Sequence, residues 1–152
     1  MLFLRSQTRG LNMSENVVNQ LSRNQEQEKL FFIIYQSLFY IRMNKEFDLV
    51  AIIEETMDAD FSDVSIFVKE TAVKVLSHYD EIRKDIEPNC IKWEYDRINL
   101  VLISILMLGI GEYRYVGGVD KAIIVDVCVK LAKKYADEKD YRFVNAVLDK
   151  IL

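Results

Sequence analysis

The sequence predicts an all-α protein of about seven helices. Only 5 glycines and 1 proline occur in 152 residues, too few for the many turns of a β-sandwich or barrel. Apolar residues recur at three- and four-residue spacing along most of the chain, and no stretch alternates as a strand would. This length fits one domain, or two very small ones that share a hydrophobic core.

The N-terminal half is expected to hold a tail and three helices. Residues 1–21 are polar and aperiodic, which is typical of a flexible tail, and Met13 is an alternative start to Met1. The first helix is predicted to begin after Ser22, which forms a capping-box pattern with Gln25. Its apolar stretch, 30–41, is wide enough to contact neighbours on more than one side.

Two shorter helices follow the first. Asn44 is predicted to cap the second helix, and the third is expected to run from about Ser62 to Tyr79. Pro88 ends this half, because the residue before a proline disfavours the helical conformation.

The C-terminal half restarts near Ile91, with a short segment around Trp93. A long apolar helix is predicted from Arg97 to about Tyr115, and its longest apolar run, 98–111, is shorter than the ~20 residues that span a bilayer. We therefore expect a buried core helix and no membrane partner.

Glycines mark the middle and the end of this helix. Gly109 and Gly111 each cost about 1 kcal/mol relative to alanine in a helix interior, so a closely approaching neighbour helix should compensate. Gly117 and Gly118 predict a turn. Two more helices are expected, from Asp120 to Tyr135 and from Asp140 onward.

The composition excludes several kinds of chemistry. Cys90 and Cys128 lie far apart without a CxxC motif, which argues against a zinc site and favours a reduced, cytoplasmic location. The single histidine, His78, has no nucleophile at a recognisable spacing and is interpreted as a surface residue. We therefore expect no enzyme activity and no cofactor. The net charge of −4 means that nucleic acid could bind only at a local basic patch.

Three further patterns have structural interpretations. The acidic segment 58–63 fails as a calcium loop, since Asp63 replaces the required glycine and Lys69 the bidentate glutamate. Gly109 and Gly111 lack the third glycine of a phosphate loop. Lys130, Lys133 and Lys134 suit a helix C-terminus, with a phosphate-binding patch as the alternative.

The C-terminal sequence resembles the closing signature of the NusB family. Residues 131–135 (LAKKY) and 142–151 (RFVNAVLDKI) match the family patterns E-L-A-K-K-Y/F-G and K-F-V-N-G-V-L-D-K-I, with Ala146 in place of a glycine. Residues 22–29 (SRNQEQEK) and 34–36 (IYQ) resemble the family's first helix, R-R-x-A-R-E-x-A-L-Q-A-L-Y-Q. Trp93 to Ile98 and Glu112 to Tyr115 also fall at family spacing.

This resemblance implies two small helical bundles packed together, here 22–88 and 89–152. It also implies a non-enzymatic factor that binds boxA-type leader RNA of ribosomal RNA operons together with the ribosomal protein NusE, within the RNA polymerase antitermination complex. The oligomeric state is left open, with a homodimer as one alternative.

Departures from the family pattern shape the expected RNA site. Asn24 and Gln27 stand where family members usually have arginines, while Lys139 replaces an acid. The glycine expected after Tyr135 is Ala136, which should either strain a left-handed cap or let the helix continue. We hypothesise that the RNA surface has moved from the arginines of the first helix toward the link before the last helix, which carries Lys139, and toward the tail with Arg5 and Arg9.

The residues predicted to bind RNA combine both ends of this surface, whereas Phe143 is assigned to the core. They are Arg23, Lys29, Lys139, Arg142 and Asn145. The alternative is a NusB-fold interaction scaffold that has lost boxA binding, favoured by the missing arginines and the acidic segment 54–63. An RNA-modifying enzyme carrying this domain is disfavoured, because no cofactor-binding domain is expected after Leu152.

Overall fold

The computed structural model describes residues 20–90 and 95–152, and within these ranges the chain is all-helical. The predictions for Met13, Arg5, Arg9 and Trp93 lie outside the described residues. The seven α-helices are α1 (Arg23–Arg42), α2 (Leu49–Met57), α3 (Ile66–Ser77), α4 (Tyr79–Ile86), α5 (Leu100–Gly111), α6 (Lys121–Tyr135) and α7 (Asp140–Ile151). The predicted fold class is confirmed.

Helix α1 begins and packs as its sequence predicts. Ser22 Oγ accepts from the backbone N–H of Gln25 at 3.2 Å, and Gln25 Oε1 accepts from the N–H of Ser22 at 2.8 Å. Leu30, Ile33 and Ile34 are fully buried, since α1 contacts α2, α3, α5 and α6. The apolar stretch is not buried throughout, because Phe39 lies exposed near the end of the helix.

The predicted start of the second helix at Asn44 is wrong. Asn44 adopts a left-handed conformation, with φ of 54°, just after α1 ends. Helix α2 begins instead at Leu49, where Asp48 Oδ1 accepts from the N–H of Ala51 at 3.2 Å. Asparagine tolerates this conformation better than most residues, so the same residue type that caps a helix start here follows a helix end.

The third predicted helix is two helices. Ser62 lies in a 3₁₀ turn, Phe61–Asp63, and Ser65 is the residue that caps α3. The chain bends at His78, whose Nδ1 lies 2.8 Å from the Lys74 carbonyl oxygen and whose ring stacks on Tyr115 at 3.7 Å. These contacts end α3 at Ser77, so Tyr79 belongs to α4.

Helix α5 forms the centre of the core, and the glycine prediction for it is confirmed. A Cβ on Gly109 would lie 2.6 Å from Cys128 Sγ on α6, and one on Gly111 would overlap the Val75 side chain on α3. The helix begins at Leu100 rather than Arg97, which belongs to a 3₁₀ turn. It continues as a π-helical turn, Glu112–Val116, into a glycine turn where Gly117 and Gly118 have positive φ.

The last two helices close the domain against α5. One buried cluster of apolar residues includes members of all seven helices. Ala136 is extended, with φ of −117° and ψ of −178°, so neither predicted outcome at this residue is observed. The division into bundles 22–88 and 89–152 stays a prediction. Within the described ranges, no helix is both long and apolar enough to span a membrane.

Candidate RNA-binding surface

Arg23 projects from the first turn of α1 and is held by its neighbours. Its guanidinium carbon lies 3.5 Å from the centroid of the Phe67 ring on α3, a cation–π contact. Its charge also lowers the pKa of the buried Glu112 carboxyl, although burial of that carboxyl has a larger, opposite effect. Arg23 is exposed, but its guanidinium already interacts with the Phe67 ring and with the charge of Glu112.

One turn further along α1, Gln27 points into the core. Gln27 is 2% exposed, and its Nε2 donates to both carboxylate oxygens of Glu112, each at 3.0 Å. In the described part of the chain, Gln27 Oε1 is buried without a hydrogen-bond partner. A neutral amide therefore faces a buried carboxylate, and this position of α1 offers nothing to a phosphate.

The buried pair predicts a pH-dependent stability. Burial raises the pKa of Glu112 above its ordinary value of 4.5, so the folded state holds this proton more firmly than the unfolded state. The contribution of Glu112 is fully favourable below that ordinary value and is lost as pH rises through the folded-state pKa. We expect Glu112→Gln to be more stable than the natural chain at neutral pH, because Gln27 Oε1 can then accept from the new amide.

Urea unfolding at acidic and neutral pH tests this expectation. The stability gap between the two proteins should widen as pH rises from about 4.5. Glu46→Gln removes an exposed carboxylate and should show no such widening. A gap that is constant with pH would mean that Glu112 titrates normally.

Lys29 lies on another side of α1. It lines a groove of about 380 Å³ with Phe32 and Tyr35 of α1 and Glu55 of α2. Among the described residues, no hydrogen bond or ion pair joins Lys29 to α7. The structure therefore places Lys29 in the groove between α1 and α2, and does not link it to the rest of the predicted site.

The end of α6 is tied to α1 by an ion pair and by aromatic packing. Lys134 Nζ lies 2.8 Å from Glu28 Oε2, and the Tyr135 ring lies 5.2 Å from Phe31 and 5.3 Å from Phe32. Lys134 is thus already paired with a carboxylate. The same holds for Lys130, whose Nζ lies 2.9 Å from Asp126 Oδ2.

The three predicted residues near the C-terminus share one surface. Lys139 immediately precedes α7, and Arg142 and Asn145 follow at three-residue intervals, so helical geometry places them in one stripe. All three are exposed. The start of α7 is fixed by Asp140, whose Oδ2 accepts from the N–H of Asp137 at 3.2 Å.

Phe143 lies on the inner side of this helix. It is half-buried, packs against the core and lines a cavity of about 560 Å³ beside the segment that precedes α5. Its predicted place in the core is supported, although the cavity leaves part of it accessible.

Two residues of this surface, Lys133 and Tyr141, were not among the predicted RNA-binding residues. Tyr141 is half-buried between exposed cations, with Lys133 Nζ 4.7 Å and Arg142 Cζ 5.9 Å from its ring centroid. The sequence signal was the lysine cluster at the end of α6, for which a phosphate-binding patch was one alternative. Nothing in the sequence distinguished Lys133 from Lys130 and Lys134, which the structure shows in ion pairs.

The fold and this surface define a small all-helical protein with exposed cations at the start of α7, beside the carboxylates of Asp137, Glu138 and Asp140. Among the described residues, no group of three or more His, Cys, Asp or Glu side chains is placed to hold a metal ion. The chain belongs to the NusB family, whose family model matches residues 24–152. The resemblance found in the sequence is confirmed.

Relatives in several bacteria match over nearly their whole length. The transcription antitermination protein NusB of Finegoldia magna is 33% identical over 134 residues, covering 87% of this chain and 94% of the relative. The NusB protein of Listeria innocua is 32% identical over 131 residues, covering 86% and 96%. That of Ligilactobacillus salivarius is 34% identical over 122 residues, covering 79% and 92%.

Solved structures share the fold. NusB of T. maritima superposes with a TM-score of 0.74 at 23% identity, covering 87% of this chain and 91% of that one. A chain from the crystal structure of antitermination factors NusB and NusE in complex with dsRNA gives a TM-score of 0.69 at 24% identity, covering 85% and 94%. At these identities the likeness concerns the fold alone.

Proposed function

We propose that this protein is a transcription antitermination factor that binds boxA-type leader RNA of ribosomal RNA operons together with NusE. The observation that carries the proposal is membership of the NusB family over residues 24–152, with relatives named transcription antitermination proteins matched over more than nine-tenths of their length. The protein acts by binding rather than catalysis, as part of the RNA polymerase antitermination complex in the cytoplasm.

The RNA-binding surface in this proposal has a strong part and a weak part. Lys139, Arg142 and Asn145 supply exposed donors along α7, and phosphate contacts of this kind provide most of the affinity for nucleic acid. Arg23 contributes less, because Phe67 and Glu112 already engage it. Lys29 contacts the RNA only if the strand continues across α1 to the groove beside α2.

A gel-shift titration of boxA RNA with and without NusE tests the proposal. We expect the protein to bind much more tightly in the presence of NusE, and to bind less tightly as salt rises, because phosphate contacts release counterions. A scrambled RNA of the same length is the control, and it should bind more weakly in the presence of NusE.

An interaction scaffold that has lost boxA binding is the second candidate. It is favoured by Gln27, which occupies a usual arginine position and is turned into the core. A scaffold would show neither the NusE effect nor the preference for boxA over scrambled RNA, and this result would overturn the antitermination proposal.

A further inference from the structure

Two cations converge on one aromatic ring where α6 ends and α7 begins. Lys133 Nζ on α6 lies 4.7 Å from the ring centroid of Tyr141, and Arg142 Cζ on α7 lies 5.9 Å from it. Both cations are exposed, and the ring is half-buried beside them. The link 136–139 brings together side chains that are eight and nine positions apart in sequence.

The cations of this cluster differ from their neighbours in having no carboxylate partner. Lys130 and Lys134 pair with Asp126 and Glu28, whereas within the described residues neither Lys133 nor Arg142 has a carboxylate oxygen within 4.0 Å. Both cations lie beside the Tyr141 ring, so an anion bound there would pair with charges that have no carboxylate partner, unlike the charges of Lys130 and Lys134.

Helix dipoles do not account for both cations. Lys133 lies in the last turn of α6, where the dipole favours positive charge. Arg142 lies in the first turn of α7, where the dipole disfavours it. The dipole of α7 is complemented by Asp140 in the same turn and does not explain the position of Arg142.

The phenol of Tyr141 adds a third polar group. A hydrogen bond with Arg142, and then the positive charges of Arg142 and Lys133, lower the pKa of Tyr141, so both cations act on its hydroxyl. The phenol O–H is able to donate to an anion. An ammonium and a guanidinium thus lie beside the ring that carries this hydroxyl, and these are groups that commonly bind phosphate in nucleic-acid complexes.

We propose that Lys133, Tyr141 and Arg142 form a subsite for one backbone phosphate of single-stranded RNA. This inference rests on the proposed function and adds Lys133 and Tyr141 to the RNA-binding surface. Lys133 and Arg142 supply charge from two different helices, and Tyr141 holds them in place through its ring and donates through its hydroxyl. Lys139 and Asn145 lie three residues before and after Arg142, so they flank this subsite along the start of α7.

Fluorescence anisotropy of a labelled boxA RNA in the presence of NusE, over a series of salt concentrations, tests the subsite. Lys133→Gln should weaken binding severalfold and reduce the slope of log affinity against log salt by about 0.7, the value for one phosphate contact to a single strand. Tyr141→Phe keeps the ring and should weaken binding without changing that slope, because it removes a neutral donor.

Lys130→Gln is the matched control, since it removes the same charge one turn earlier on α6 from a lysine that is already paired. It should change neither the affinity nor the slope. Thermal unfolding of each variant confirms that it is folded. If Lys133→Gln behaves like Lys130→Gln while the natural chain binds RNA, the subsite is wrong and the proposed function stands. If the natural chain binds no RNA, the proposed function itself fails, and the subsite with it.

Inorganic phosphate distinguishes an RNA subsite from a general anion site. Phosphorus NMR line broadening reports its binding to the natural chain and to Lys133→Gln. Should Lys133→Gln reduce phosphate binding but leave RNA affinity unchanged, the cluster would bind a free anion and the RNA assignment would be overturned. Loss of RNA affinity in the same variant supports the assignment.

Discussion

Replacing Gly111 with alanine is expected to lower the free energy of unfolding by about 1–3 kcal/mol, the usual cost of overpacking a core. Alanine would gain about 1 kcal/mol in helix propensity, but its Cβ would overlap Val75 Cγ2 and lie 3.2 Å from Val75 Cβ and 3.4 Å from Val75 Cα. Rotation of the Val75 side chain moves Cγ2 but not Cβ, so rotation alone cannot relieve the 3.2 Å contact. Urea unfolding of the two proteins measures the difference.

A double-mutant cycle identifies the cause. Val75→Ala removes Cγ2, the atom that the new methyl group would overlap, so the double variant should be more stable than the two single effects predict, by about 1 kcal/mol or more. Val73→Ala is the control on the same helix, because Val73 is 51% exposed and should give no rescue. Equal behaviour of Val73→Ala and Val75→Ala would show that Gly111 is required for a reason other than contact with α3.

The two core glycines illustrate how far the sequence predicts this fold. Their cost in helix propensity is a local quantity, so the need for closely packed neighbours could be predicted from the chain alone. The identity of those neighbours, Cys128 and Val75, could not, because each lies on a helix whose packing depends on the whole core.

Helix ends were predicted less well than helices, for a local reason. Five residues capable of capping a helix occur from Asp58 to Ser65, and their side chains form similar hydrogen bonds. Tertiary packing selects Ser65, which caps α3 and also bonds to Glu26 of α1. The break at His78 has no glycine or proline to mark it, and it depends on contacts with Tyr115, 37 residues away.

The candidate site was also only partly predictable from the sequence. The spacing of Lys139, Arg142 and Asn145 fixes a common stripe on any helix, so their shared exposure was predictable. The direction of α1 side chains was not, because its apolar stretch is too wide to define an outer face. Gln27 consequently points inward and Lys29 lies beside α2, although both belong to the segment that resembles the family's first helix.

The second large effect is expected from reversing charge on α7. Lys139→Glu combined with Arg142→Glu should reduce the affinity for boxA RNA by more than about tenfold, because two phosphate contacts are replaced by repulsion. The slope of log affinity against log salt should fall by about 1.4, twice the value for one contact to a single strand. Arg23→Gln should have a smaller effect, under about threefold, since Phe67 and Glu112 already engage that guanidinium.

This comparison tests whether the RNA surface has moved from α1 to α7. Lys84→Glu is the control, because Lys84 lies near the end of α7 that is opposite Lys139. Its neighbour Asp85 pairs with Arg114, and Arg114 Nη2 lies 3.5 Å from the carbonyl oxygen of Ile151. Filter binding by these variants, and by a chain that begins at Met13, compares α7, α1 and the tail on one scale. A larger loss for Arg23→Gln than for the α7 pair would place the RNA on α1, as in the usual family pattern, and the proposed shift would be wrong. The predicted order instead follows from charge: the exposed cations of α7 have no carboxylate partner among the described residues, whereas the one arginine left at the start of α1 faces a buried carboxylate.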